Sequence, residues 1–350
     1  VLRIGDNAFE GQSNLKAINL PDSVVELGER SFMECVNLND IIITGKLTKI
    51  GPRVFLNCTR LENVALNLDA NCTMEEINES RIRINGGFET GKLTITPFMG
   101  CTSLKNVIIK SDGTSLPPLF TTKLLYPVSV TLSGHKDTTL SLIGSYDESV
   151  NGKYYLRDCH FNVTLDCNNL TNIPKHMFAN SGITTINMPN SVKSIGIGSF
   201  VGCSSLTNID LSGNITMIEG DAFSGCTGLT NIILPNNIMS IGVNAFRDCK
   251  NLTNIIIPGS IQNIDSYMFD GCSNLERVII KEGIKRIANG AFRSCTKLKE
   301  IDIPSSVTTI DDNVFQYIYN NDLQINVNRR SNTISGAPWG ATNATVKWKN

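Results

Sequence analysis

Residues 254–280 read NIIIPGSIQNIDSYMFDGCSNLERVII, from Asn254 to Ile280. Three isoleucines, Ile255, Ile256 and Ile257, stand in a row. Along a β-strand, neighbouring side chains point to opposite faces. If Ile255 and Ile257 enter a core, Ile256 faces water. The same run lies 23 residues back, as Ile232-Ile233-Leu234, and 23 residues on, as Val278-Ile279-Ile280. A fixed period of this size is the mark of a repeat architecture.

The period extends through the chain. Phe9, Phe32 and Phe55 are each 23 apart, and so are Phe200, Phe223, Phe246, Phe269, Phe292 and Phe315. A working consensus is I-G-x-x-A-F-x-G-C-x-x-L-x-x-I-x-L-P-x-x-I-x-x. The first apolar residue of each strand phrase falls at Ile18, Ile41, Val64, Val107, Val130, Val163, Ile186, Ile209, Ile232, Ile255, Val278, Ile301, Ile325 and Val346. Two steps are longer, 43 residues from Val64 to Val107 and 33 from Val130 to Val163. They place insertions of 20 and 10 residues at about 67–98 and 133–160. The chain is therefore expected to be one solenoid over 1–350, not two domains with a linker. Val1 starts in mid-repeat, so the sequence reads as an excised segment with a truncated N-terminus.

Each coil has a mechanical reading. Leu252, Ile255 and Ile257 face inward, and Asn254 and Ile256 outward. Pro258 has no N–H and blocks further strand pairing. Ile261 and Ile264 re-enter the core on a second side. Ser266 to Gly271 is expected to form a short helical turn that carries Phe269 and Cys272 inward. The fold class is α/β: a right-handed solenoid of about 15 coils, with a parallel sheet on the concave face and short helical turns opposite. At a strand spacing of about 4.8 Å, the sheet is roughly 70 Å long. A solenoid end exposes an apolar cross-section and needs a cap. Residues 321–350 are read as that cap, with Trp339 and Trp348 over the last coil.

The repeat IGDNAFEGQSNLKAINLPDSVVE (residues 4–26) and its copies resemble the BspA-like, or Treponema pallidum-type, leucine-rich repeats. The match covers nearly the whole chain apart from the two insertions. The C-terminal ISGAPWGATNATVKW resembles the ends of such surface proteins in gut and mucosal bacteria. The resemblance implies an extracellular, secreted or cell-surface bacterial adhesion module. Its partner would be an extracellular protein, such as a host matrix protein, or another cell-surface protein. The family carries no fixed set of binding residues to transfer.

Composition sets limits. The 31 Lys+Arg against 32 Asp+Glu leave a net charge of −1, not the basic footprint of a nucleic-acid binder. No apolar run is long enough to span a membrane in this segment. Eight of the 11 cysteines occupy the Phe-x-x-Cys position: Cys35, Cys58, Cys101, Cys203, Cys226, Cys249, Cys272 and Cys295. Stacked one coil apart, they would form either a ladder of disulfides or a row of buried thiols acting as small hydrophobes. Gln12, Ser181 and Ile318 fill the same position, which favours the thiols. Cys159 and Cys167 could bridge the base of the second insertion. No metal-ligand spacing occurs, and no catalytic or cofactor motif (G-x-S-x-G, H-E-x-x-H, a phosphate loop) is present. The expectation is a non-enzyme with no cofactor and no metal.

The outward strand positions remain as the candidate working surface. Ile233, Ile256 and Ile279 sit on consecutive coils and would form an apolar stripe. Asp210 and Asp302 lie at its ends, and Asn208, Asn231 and Asn254 beside it. One reading is a protein-binding patch, an apolar centre inside a polar rim. The other is that isoleucine simply suits a strand, which Ile42 and Ile108 at the same repeat position support. Tyr146, Tyr154 and Tyr155 in the second insertion form a second candidate surface. A passive spacer in a larger surface protein is the alternative function.

Overall fold

A computed structural model describes residues 2–74, 77–84, 87–95, 97–111, 128–133, 161–166, 170–211, 214–319, 322–330 and 333–349. The Tyr146, Tyr154, Tyr155, Cys159 and Cys167 expectations lie outside these residues. The chain divides into two compact units, Val1–Leu170 with Ser181–Pro189, and Thr171–Asn180 with Asn190–Asn350.

The first unit holds a nine-stranded sheet. Its main rungs are Ala17–Asn19, Asp40–Ile50, Asn63–Met74, Asn106–Ser111, Val128–Ser133, Phe161–Asp166 and Ile183–Asn187, all paired in parallel. Asp40–Ile50 and Asn63–Met74 are unusually long; Thr44 and Asn67 stand where Pro21, Pro235, Pro258 and Pro304 lie in other coils, so no proline interrupts the ladder there. Within the first insertion, Ile77–Ile84 and Gly87–Ile95 pair as an antiparallel hairpin. The 43-residue step leaves the ladder untouched, with Val64 opposite Val107.

The second unit carries a five-stranded parallel sheet of Asn254–Ile257, Arg277–Ile280, Glu300–Ile303, Gln324–Val327 and Thr345–Trp348. Two-residue strands make smaller ladders on a second side, among them Asn263–Ile264, Arg286–Ile287 and Thr309–Ile310. Pro258 ends its strand as the sequence implies. Asn208–Leu211 and Asn231–Leu234 keep the outward–inward alternation but are not paired strands. The described residues make about 11 turns rather than 15.

The expected helical turns are absent: no helix occurs among the described residues. The turn after Asp265 shows why. Met268, Asp270 and Cys272 donate their N–H groups three residues back, to Asp265, Tyr267 and Phe269. Tyr267, Phe269 and Gly271 donate instead to Asn289, Ala291 and Arg293 in the next coil. Alternate amides thus serve the turn and the neighbouring coil, and no i→i−4 ladder can form. The backbone reverses hand at Tyr267 (φ 56°) and Gly271 (φ 75°), which a helix forbids.

Between these surfaces runs a stack of phenylalanine rings. Within each unit, successive described rings lie 5.1–6.0 Å apart and within 19° of parallel. The rings stack because one residue of every coil occupies the same place, and offset aromatic contact adds to their burial. Leu252, Leu275 and Leu298 form a parallel row of buried side chains, as do Ile264 and Ile287. Beyond Phe315, Trp339 is 1% exposed, accepts the Phe315 N–H at its carbonyl and donates Nε1–H to the Ser335 carbonyl at 2.7 Å. Trp348 lies 6.1 Å from it, with the two rings tilted by 59°.

Candidate functional site: the outward face of the sheet

The buried thiols are structural. All eight in the repeat position are free and buried. Each donates its S–H to a phenylalanine carbonyl of the preceding coil, as Cys58 does to Phe32 at 3.0 Å and Cys272 to Phe246 at 3.1 Å. Burial pushes Cys35, Cys58, Cys226, Cys249, Cys272 and Cys295 up, and Cys101 to about 12, so these thiols stay protonated. The disulfide ladder is therefore not formed. Among the described residues, no group of His, Cys, Asp and Glu could hold a metal ion. No helix there is long and apolar enough to cross a membrane.

The outward face of the second unit's sheet is built by strand register. Ile256 lies opposite Ile279, Ile279 opposite Asp302, Asp302 opposite Asn326, and Asn326 opposite Lys347. The adjoining column runs Asn254, Arg277, Glu300, Gln324 and Thr345. Ile256 is 53% exposed and Ile279 half-buried, because Ile256 and Asp302 flank it on the neighbouring rungs. Ile233 is 76% exposed on its unpaired segment, with Asn208, Asn231, Asn254 and Asp210 all exposed. Ladder pairing thus joins Ile256, Ile279 and Asp302, and it does not extend to Ile233 or Asp210.

The polar end of the stripe is ordered. The Asn326 side-chain amide donates to Glu300 Oε1 at 2.8 Å and to Asp302 Oδ1 at 2.9 Å. Lys347 Nζ is committed to Gln324 Oε1 at 2.7 Å. Among the ion pairs of the described residues, none includes Glu300 or Asp302.

The first unit has its own version of the column. Ile42, Ala65 and Ile108 are neighbours through register, with Ile42 and Ile108 exposed. Beside them Asn106 donates to Asn63 Oδ1 at 2.8 Å, and Asn63 to Asp40 Oδ1 at 2.5 Å. The second unit also exposes Met239 (73%), Met217, Ile197 and Val243. Other copies place Lys193, Gln262 and Lys285 at the Met239 position.

Parallel rungs at a 23-residue period, an inner leucine row and an outward polar–apolar face define a leucine-rich-repeat solenoid. The matching family model is the BspA type leucine rich repeat region, in six copies over residues 1–84, 149–237 and 193–322. The chain belongs to that family. Among solved structures, it is similar to a leucine rich cell surface protein from Faecalibacterium prausnitzii (23% identity, 100% of this chain and 83% of that one, TM-score 0.39). It is also similar to the T. pallidum leucine rich repeat protein (24% identity, 55% and 83% of the two chains, TM-score 0.39). A third is the pneumococcal vaccine antigen PcpA (16% identity, 100% and 77%, TM-score 0.46). No curated protein matches the sequence.

Proposed function

We propose that this protein is a non-enzymatic interaction module of the bacterial surface that binds another extracellular protein through the outward face of its sheet. One observation carries the reading. Ile256 and Ile279 are set side by side on a rigid ladder, and Ile256 remains half exposed instead of contributing to the core. Exposed apolar side chains rimmed by amides and carboxylates have the anatomy of a protein interface. Membership of the BspA type supports a surface location. The 23-residue period running through both units supports a single repeat array over 1–350. Adhesion to a host matrix protein is the specific form we favour, and the 133–160 insertion is a second contact.

The test is binding of the purified chain to matrix proteins, mucins and glycans, beside the Ile233→Asp/Ile256→Asp/Ile279→Asp variant. A partner held by the parent and lost by the folded variant supports the stripe. Unchanged binding clears the stripe and points to the 133–160 insertion. The passive spacer is the second reading, favoured by Ile42 and Ile108, which repeat the outward isoleucine elsewhere. Absence of binding to every probe would favour it.

A further inference from the structure

The stripe has two unlike ends, and the difference speaks to its partner. This inference rests on the interaction reading above. Going from Ile256 through Ile279 to Asp302, the column changes from exposed apolar to anionic within two rungs. In the adjoining column Glu300 lies next to Arg277, and Asn326 bridges Glu300 and Asp302 with one amide. That amide holds two carboxylates close together without neutralising either. Both are exposed, and neither forms an ion pair among the described residues. The repulsion of two such carboxylates is relieved by a cation.

We propose that the stripe takes an extended segment of a partner protein in which an apolar residue precedes or follows a lysine or arginine by about two positions. The apolar side chain lies against Ile256 and Ile279, and the cation against the Glu300–Asp302 pair. The spacing follows from geometry. Two rungs of the ladder span about 9.6 Å, and same-face residues of an extended chain are about 7 Å apart. The length of a lysine or arginine stem covers the rest.

A second copy of this chain fits poorly. A two-fold pairing that keeps the rungs in the same order sets Glu300 and Asp302 against their own copies. The reversed order sets Ile256 against Asp302 and strips water from an unpaired carboxylate. A partner that supplies the cation avoids both.

The probe is a displayed library of random linear peptides, selected on the parent chain. Selection is repeated on Ile256→Asp/Ile279→Asp, and on Glu300→Gln/Asp302→Asn. Ile256→Ser/Ile279→Thr replaces the first variant if aspartate disturbs folding. The expected result is peptides with an apolar residue and a Lys or Arg two or three positions apart. They should be lost on the stripe variants and bind about fivefold or more weakly to the carboxylate variant, with the difference shrinking in high salt. Stripe-dependent peptides with no basic preference, or with unchanged affinity for the carboxylate variant, overturn this inference and leave the interaction reading standing. Peptides indifferent to the stripe variants, or no enrichment at all, overturn both.

Discussion

Replacing Phe269 by alanine tests the phenylalanine stack at its most populated point. Phe269 is fully buried and has rings on both sides, Phe246 at 5.5 Å and Phe292 at 5.6 Å. Buried Phe→Ala changes cost about 3–5 kcal/mol through lost transfer energy and the cavity left behind. Two lost ring contacts, at about 0.5–1.5 kcal/mol each, place this site toward the upper end, near 4–5 kcal/mol. The cavity has little means of closing, because Phe246 and Phe292 are fixed by their own coils. The contrast is Phe9, partly exposed and with Phe32 as its one described ring partner at 5.1 Å. Phe9→Ala should cost about 1–2 kcal/mol, in proportion to its smaller buried area. The assay is urea denaturation of both variants, with amide exchange reporting whether protection falls first around residues 265–292. A Phe269→Ala loss below about 2 kcal/mol, or no larger than that of Phe9→Ala, would refute the stack as a main source of stability.

Three further outcomes are expected. Cys272→Ala should cost about 1–3 kcal/mol and Cys272→Ser less, since serine keeps a donor for Phe246 and Ser181 is already buried in the equivalent place; a larger loss for serine in urea titration would mean that the thiol acts only as apolar filler. In native protein at pH 8, the eight repeat-position thiols should resist maleimide for hours and react at once in denaturant, because all eight are buried away from the reagent; peptide mass spectrometry reads the labelled sites. Desolvation is the largest single influence on the Glu282 carboxyl and raises it, but four hydrogen bonds from Ser305 and Ser306 together outweigh it and hold the group below its ordinary value of 4.5. Its stabilisation is therefore present above that value and lost as pH falls through the folded one, so Glu282→Gln should cost under about 1 kcal/mol at pH 7 and progressively less as the pH is lowered in thermal melts.

The repeat was legible because the residues that define it are buried and chemically constrained. Phe269, Cys272, Leu275 and Val278 each recur with their period and fall inward as expected. The turn conformation was not legible. It depends on Tyr267, Asn244 and Asp248 adopting positive φ, which nothing about tyrosine announces. The hairpin at 77–95 carried a readable sign, the Asn85-Gly86 pair between alternating segments. On the candidate site, Ile256 and Ile279 were found because strand alternation fixes which way they point. Ile233 shares the alternation but not the pairing, since ladder formation depends on how the coils meet, not on side-chain order. Met217 and Met239 lie outside the strand phrase, and the alternation that orients Ile256 says nothing about them.

The first insertion shows what the ladder counts. Asn63 and Asn106 are opposite one another across a step of 43 residues, just as Asn254 and Arg277 are across one of 23. A rung is recognised by its neighbour's carbonyls and amides, and these are blind to the length of chain between them. Each coil is therefore a junction at which foreign sequence can be spliced without a frameshift in the stack. A hairpin has been accommodated in this way within 77–95. The scaffold can thus acquire or exchange a recognition loop in a single step while every ring, thiol and leucine beneath it keeps its place.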